Sequence, residues 1–98
     1  MVPHKPIIDF SLKRKDNTTV VAVIDIEDWG FPELFEYIDV RLTDDPERLS
    51  TATKLDVQET NYHYEKEWKM AAGTLYVVFN PFSRSDINVN AVFSATIN

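Results

Sequence analysis

The sequence predicts an all-β fold, an antiparallel two-sheet sandwich with about seven strands, immunoglobulin-like or related, with a small β-barrel as the alternative. Three observations predict it. Apolar residues recur at every second position in several short segments, which is the period of a half-buried strand. Turn-forming polar residues separate these segments. The alternation of strands and helices that a parallel sheet requires is missing.

The N-terminal third predicts a hairpin of two strands. Ile8, Phe10 and Leu12 alternate with polar residues, and residues 13–17 form a polar, turn-rich stretch. The next strand, residues 18–26, is rich in β-branched residues. Apolar side chains occur on both of its faces, which predicts a central strand that is covered on both sides.

The middle of the chain is less regular. Residues 27–32 break the alternation, and we expect a short helical turn that ends at Phe35. Ile38, Val40 and Leu42 then alternate with polar residues and predict a strand. A polar reversal at residues 43–48 precedes an edge strand within residues 49–59, although residues 46–50 could instead form one helical turn.

The C-terminal third has the clearest patterns. Residues 62–70 alternate between aromatic or long side chains and charged ones, which predicts a strand with its aromatic side inward. Residues 75–79 and 87–97 predict a closing hairpin. We expect its core residues to be Leu75, Val77, Phe79, Val89, Ala91 and Phe93.

Composition limits the class of protein. The chain has 98 residues, which suits a single domain over residues 1–98, with residues 1–5 as a flexible N-terminal arm. It has no cysteine, which excludes a disulfide framework, a cysteine-ligated zinc site and the paired cysteines of an antibody domain. No apolar run approaches the roughly 20 residues of a membrane span, so we expect no membrane insertion. A cytoplasmic location is favoured unless the domain was cut from a larger secreted protein.

Charge indicates the class of partner. The net charge is −6, which disfavours nucleic acid as a partner. Nine acidic residues and one basic residue lie between Asp25 and Glu47, so this acidic segment carries −8 and the rest of the chain +2. Aromatic residues lie within the segment, and aromatic anchors with a charged rim are typical of an interaction patch. We therefore expect it to dock a protein partner, and a basic one in particular, through Asp28, Trp29, Phe31, Glu33, Glu36, Asp44 and Asp45.

The same segment suggests a metal as an alternative. Calcium takes six to eight oxygen ligands, usually with several carboxylates among them. Asp25 and Glu27 project on one face of a strand, and Asp28 lies beside them. These three residues are the candidate metal ligands. EF-hand spacing is absent, so we expect no cofactor, with calcium as the alternative.

Enzyme chemistry has little support in the sequence. His4 lies in the N-terminal arm and His63 on the charged side of a strand, and neither has a serine or cysteine context that suggests a nucleophile and its base. We therefore expect a non-enzymatic binding or accessory module. The alternatives are a structural subunit of a virion or surface assembly, for which self-association is expected, and a calcium-stabilised domain.

Overall fold

The structure, a computed structural model, describes residues 4–30, 38–48, 51–81 and 91–98. Its seven strands are β1 (Ile7–Asp16), β2 (Thr19–Asp28), β3 (Ile38–Thr43), β4 (Thr53–Lys54), β5 (His63–Lys69), β6 (Gly73–Pro81) and β7 (Ala91–Ile97). They form a three-stranded sheet in the order β1-β2-β5 and a four-stranded sheet in the order β4-β3-β6-β7. All neighbouring strands are antiparallel. The predicted two-sheet sandwich is confirmed, and the described strands do not close into a barrel.

Both predicted hairpins form. β1 pairs with β2, but two residues lack an opposite partner and create bulges, Lys15 on β1 and Glu27 on β2. β6 pairs with β7 from Gly73–Ile97 to Phe79–Ala91. Residues 82–90, which include the predicted core residue Val89, lie outside the described residues.

The core lies between the two sheets and is formed by alternate residues of the strands. Phe79 is 1% exposed at its centre, and its ring meets those of Trp29 and Phe93 edge to face at 6.1 and 5.8 Å. Leu75 and Val77 are also buried, as predicted, whereas Phe93 is only partly buried because it lies on the edge strand β7. The other buried members are Val20, Ala22, Ile24, Ile26, Ile38, Val40, Leu42, Leu55 and Ala91.

The edge strand expected within residues 49–59 is much shorter than that segment. Only Thr53 and Lys54 pair with β3. Leu55 still donates its backbone N–H to Val40 O at 2.8 Å and buries its side chain in the core. Beyond Leu55 the chain passes to the other sheet, where the backbone of Gln58 is bonded to the phenol of Tyr64. Residues 31–37, which include the helical turn expected up to Phe35, and residues 49–50, the end of the alternative turn at 46–50, lie outside the described residues, while residues 46–47 form a turn.

The sandwich has two ends, which we name by their residues. At the Asn17 end lie the β1–β2 turn, the β5–β6 turn and the last residue of β7. Arg14 Nη2 links these parts, since it donates to the backbone oxygens of Ala71 at 2.6 Å and Asn98 at 3.3 Å. At the opposite Asp28 end lie the end of β2 and the start of β5. His4, from the predicted N-terminal arm, is held there by a 3.0 Å bond from its backbone N–H to Gly30 O.

Candidate functional site

The acidic segment does not form one continuous surface among the described residues. Asp28 lies at the Asp28 end, at the close of β2. Asp44 and Asp45 follow Thr43, which pairs with Tyr76 near the start of β6, and β6 starts at the Asn17 end. The two parts of the predicted partner surface therefore lie towards opposite ends of the sandwich. Three more of its predicted residues, Phe31, Glu33 and Glu36, lie outside the described residues.

Trp29 belongs to the core. Its side chain is 4% exposed, and its ring meets those of Tyr64 and Phe79 edge to face, each at 6.1 Å. A large ring that follows the central strand of one sheet can bury most apolar area by turning between the sheets. The expectation that Trp29 is an exposed anchor for a partner is therefore wrong for this structure.

Asp28 has a structural role at the chain reversal after β2. Its Oδ1 accepts a hydrogen bond from Gly30 N at 2.8 Å, and its Oδ2 lies 3.4 Å from His4 Nε2. Gly30 has φ +85°, and a Cβ atom there would lie 2.1 Å from the carbonyl oxygen of His4. Only glycine fits this reversal, and Asp28 stabilises it.

Asp45 organises the turn after β3 in a similar way. The Thr43 hydroxyl exchanges hydrogen bonds with the Asp45 backbone at 2.9 and 3.0 Å, and Asp45 Oδ1 accepts from Glu47 N at 3.0 Å. Such local side-chain bonds are typical of Asp and Thr in turns. Asp44 beside it is exposed. Of the described acids in this turn, Asp44 and Glu47 are thus the ones whose carboxylates are not part of the turn's bonding.

The candidate metal ligands do not converge. Asp25 is bonded to a histidine, Glu27 occupies a bulge, and Asp28 is bonded to the chain reversal. Within residues 4–30, 38–48, 51–81 and 91–98, no three His, Asp or Glu side chains are arranged to hold a metal ion. A calcium site at Asp25, Glu27 and Asp28 therefore has no geometric support.

The structure instead brings together a cluster around His63. Nδ1 of its ring lies 2.5 Å from Asp25 Oδ1, and Nε2 lies 2.8 Å from Glu65 Oε2. His63 and Asp25 are directly opposite across β5 and β2. Their pair is one of the non-hydrogen-bonded pairs of the ladder, in which side chains approach most closely. Glu65 is two residues along the same strand and so lies on the same face.

This geometry requires a protonated ring. A neutral imidazole has one N–H donor, so it can donate to only one of two carboxylates, whereas the imidazolium ion donates to both. Consistently, the hydrogen bond to Asp25, and then that to Glu65, raises the pKa of His63 above its ordinary value of 6.5. The two carboxylates thus stabilise the protonated form of the His63 ring.

Charges are sorted along the outer face of the three-stranded sheet, the face that points away from the four-stranded sheet. Asp9 lies directly opposite Asp25 on this face, so the two carboxylates and the His63 cluster form an acidic end. Toward the Asn17 end the same face carries Lys13, Lys15 and Lys69 together with Asp16 and Glu67, of which Glu67 is paired with Lys15. The face therefore has an excess of negative charge at one end and a small excess of positive charge at the other.

The side chain of Lys15 also makes an ion pair across the sheet. Its Nζ pairs with Glu67 Oε1, although β2 lies between the strands that carry them. Val21, the β2 residue opposite Glu67, is only half-buried, and it lines an open groove of about 620 Å³ with Lys15, Glu65, Lys66 and Glu67. The outer face therefore has a surface groove as well as an uneven distribution of charge.

Sequence reasoning assigned His63 to the charged side of a strand, and this is confirmed, but it did not find the cluster. Asp25 and His63 are 38 positions apart, and nothing in either segment specifies that β5 pairs with β2 in this register. The alternation of residues 62–70 indicated that His63, Glu65 and Glu67 share a face, which was the one available signal.

No helix among the described residues has the length and apolar character needed to cross a membrane. Comparison of the chain with protein-family models, with curated proteins and with solved structures finds no significant match. The site therefore has to be interpreted from its own geometry and charge.

Proposed function

We propose that this chain is a non-enzymatic protein-binding module that docks a partner on the outer face of its three-stranded sheet. The observation that carries the proposal is the uneven charge on this face: Asp9, Asp25 and Glu65 lie towards one end, and the three lysines Lys13, Lys15 and Lys69 outnumber the acids Asp16 and Glu67 at the other. A face with separated charge orients an approaching partner and raises the rate of association.

Exposure supports the same surface. None of the seven residues of β5 is buried, and the side chains of Asp25, His63 and Glu65 are 55, 52 and 55% exposed. The acidic end is therefore accessible to a basic group of a partner. This proposal keeps the basic protein partner that the sequence indicated, but it moves the surface from the whole segment 25–47 to the outer face, where only part of that segment lies.

The proposal is tested by titrating the 15N-labelled domain with a short lysine-rich peptide and following amide chemical shifts. We expect the largest changes around Asp9, Asp25 and Glu65, with an apparent affinity that falls as salt is added. The double variant Asp9→Lys, Glu65→Lys should weaken the interaction by about tenfold, since it replaces two exposed negative charges at the acidic end.

The double variant Asp44→Lys, Glu47→Lys is the matched control. It makes the same change in net charge at exposed positions beside the turn after β3. If both double variants weaken binding equally, the interaction depends on net charge alone and the proposed surface is wrong. Amide shifts centred on residues 44–48 would contradict it in the same way.

A further inference from the structure

The edge of the three-stranded sheet formed by β5 differs from the other sheet edges of the described chain. β1 and β7, the edges on one side of the sandwich, lie against each other, and the pairing of β1 with β2 contains both bulges. β4 has only two residues. β5 has seven residues and pairs with β2 without any irregularity. Proteins usually blunt an edge by shortening, bulging or covering it. β7 is as long and regular as β5 but lies against β1, so among these four edges β5 alone is long, regular and not packed against another edge strand.

The hydrogen-bonding groups on this edge can be assigned from the ladder. Ile26 N donates to Tyr62 O at 2.7 Å and Met70 N donates to Thr18 O at 2.8 Å. In an antiparallel ladder the bonded pairs alternate along the strand, so the even-numbered residues of β5 bond to β2. The backbone N–H and C=O groups of His63, Glu65, Glu67 and Lys69 therefore point away from it.

Of these four residues, His63 already has a partner, because its N–H donates to Asn61 Oδ1 at 3.1 Å. In the part of the chain that the structure describes, no group is bonded to the backbone N–H or C=O of the other three, Glu65, Glu67 and Lys69. This run of backbone groups is the template that an added strand requires.

The side chains of β5 define what such a strand would look like. Glu65 and Glu67 project on the outer face, whereas Tyr64 and Trp68 are half-buried and pack towards the core. Lys66 lies on the core-facing row yet is exposed. Opposite charges facing each other across two strands stabilise the pairing, and like charges destabilise it.

We propose that β5 accepts an extended segment of a partner protein as an added antiparallel strand, and this inference rests on the protein-binding function proposed above. The segment carries Lys or Arg opposite Glu65 and Glu67, an acid opposite Lys66, and apolar residues opposite Tyr64 and Trp68. Backbone bonds supply the attachment, and the alternating charges supply the register.

A second copy of the chain fits this edge less well. The antiparallel register that overlaps all seven residues of two β5 strands places Lys66 opposite Lys66 of the other copy. It also places Glu65 opposite Glu67, twice. Three like-charge contacts disfavour this pairing, so the charge pattern selects a different chain.

The direct test uses the synthetic peptide Glu-Val-Lys-Glu-Lys-Val-Thr, blocked at both ends. We expect binding with the largest amide shifts at Glu65, Glu67 and Lys69 and slowed hydrogen exchange of their N–H groups. A control peptide with every Lys and Glu exchanged places like charges opposite Glu65, Lys66 and Glu67, and it should bind at least tenfold more weakly.

A second control separates strand addition from attraction by charge. Methylating the backbone nitrogens of both peptide lysines removes two of the N–H groups that would face β5 and leaves the charges unchanged. We expect about tenfold weaker binding or more, since two backbone hydrogen bonds are lost. Equal binding of the methylated peptide would overturn strand addition while leaving charge-driven docking on the outer face intact. Absence of binding by the parent peptide at millimolar concentration would also overturn strand addition.

Variants of the domain test the same edge by changing β5 instead of the peptide. Glu67→Pro removes a backbone N–H that faces away from β2, which is where an edge strand tolerates proline. Glu67→Ala is its matched control, because both variants lose the carboxylate. We expect Glu67→Ala to weaken peptide binding a few-fold and Glu67→Pro to abolish it, with cooperative unfolding retained in both.

Equal binding by the proline and alanine variants would overturn the inference. If Glu67→Pro does not fold, the methylated peptide decides the question. Sedimentation of the domain alone adds one more outcome: a dimer that Glu67→Pro dissociates would assign the edge to a second copy and overturn the assignment to a different chain.

Discussion

The two sheets of the sandwich use their outer faces differently. On the three-stranded sheet this face is exposed, and its charged side chains pair with one another across strands, as in the His63 cluster. On the four-stranded sheet the outer face is mixed: Val92, Ser94 and Thr96 of β7 are exposed, whereas several outward-facing residues of β3 and β6 are buried. Asp39, Thr43 and Val78 point away from the core but are only 2, 1 and 7% exposed.

Burial changes what a charge does. Asp39 Oδ2 accepts a 2.6 Å bond from Arg41 Nε, and the Asp39 side chain is 3% exposed. Removing one partner of such a pair leaves a charge in a poorly solvated place, which is strongly unfavourable. The charges of the exposed pairs on the other sheet are solvated whether or not they are paired, so these pairs contribute little to stability. The charges on the outer face of the three-stranded sheet are therefore exposed to solvent, whereas the buried charge pair on β3 of the four-stranded sheet is part of the packed structure.

The largest loss of stability is expected for substitutions in the core that both sheets share. The smaller losses expected on the two outer faces are compared with it. Phe79→Ala should lower the free energy of unfolding by about 3–5 kcal/mol, because the ring is fully buried and contacts two other rings. Phe93→Ala should lower it less, by about 1–3 kcal/mol, since that ring is partly exposed. Denaturant unfolding measures both values. A smaller loss for Phe79 than for Phe93 would contradict the central position of Phe79 in the core.

The next effect compares the two faces directly. Asp39→Ala should lower the free energy of unfolding by about 2–3 kcal/mol, because Arg41 loses its buried partner. Asp9→Ala, at an exposed position on the other outer face, should change it by no more than about 0.5 kcal/mol. The same denaturant measurement serves both. Equal losses would contradict the difference in burial between Asp39 and Asp9.

A smaller effect concerns the His63 cluster and depends on pH. The pKa of His63 is raised in the folded state. The cluster's contribution to stability is therefore fully present below the unfolded-state pKa of 6.5 and is lost as the pH rises through the folded-state pKa. The difference in unfolding midpoint between wild type and His63→Gln should therefore shrink over that window. Below about pH 4 the carboxylates titrate and the comparison no longer isolates His63. His4→Gln is the control for loss of a histidine, and a difference that grows with pH would contradict the protonated cluster.

The smallest effect is expected at the pair that crosses β2. Lys15 and Glu67 are both more than half exposed, so solvent and salt screen their attraction. Glu67→Gln should leave the unfolding midpoint unchanged within error at any ionic strength, while the amide shifts of Val21 beneath the pair should move. A clear loss of stability would show that this face also maintains the fold and would weaken the contrast between the sheets.

Much of the fold could be predicted from the sequence, because alternation is a local property of the chain. It indicated both hairpins, the central strand with Val21 and Val23 on its second face, and the aromatic inner side of β5. It failed within residues 49–59, where alternate residues fit a strand but only two of them pair with β3. There the core position of Leu55 outweighs the local pattern.

The candidate site was less accessible to the same reasoning. Trp29 and Asp28 were assigned to a partner surface because they stand next to acids in the sequence, but neighbours along a chain need not share a surface. Trp29 packs in the core, and Asp28 accepts a hydrogen bond that stabilises the chain reversal at Gly30. Asp44 lies towards the other end of the sandwich. The cluster that does form depends on contacts between residues far apart in the sequence.

The sequence by itself determined which residues lie on the same side of each strand, because side-chain direction has period two and needs no knowledge of neighbours. It therefore determined that His63, Glu65 and Glu67 share one charged row. Only the tertiary structure decided that this row borders Asp25, that β5 is an edge, and that its odd-numbered residues direct their backbone groups outward. Strand order and register result from packing the whole core at once, so no single segment of the sequence specifies them.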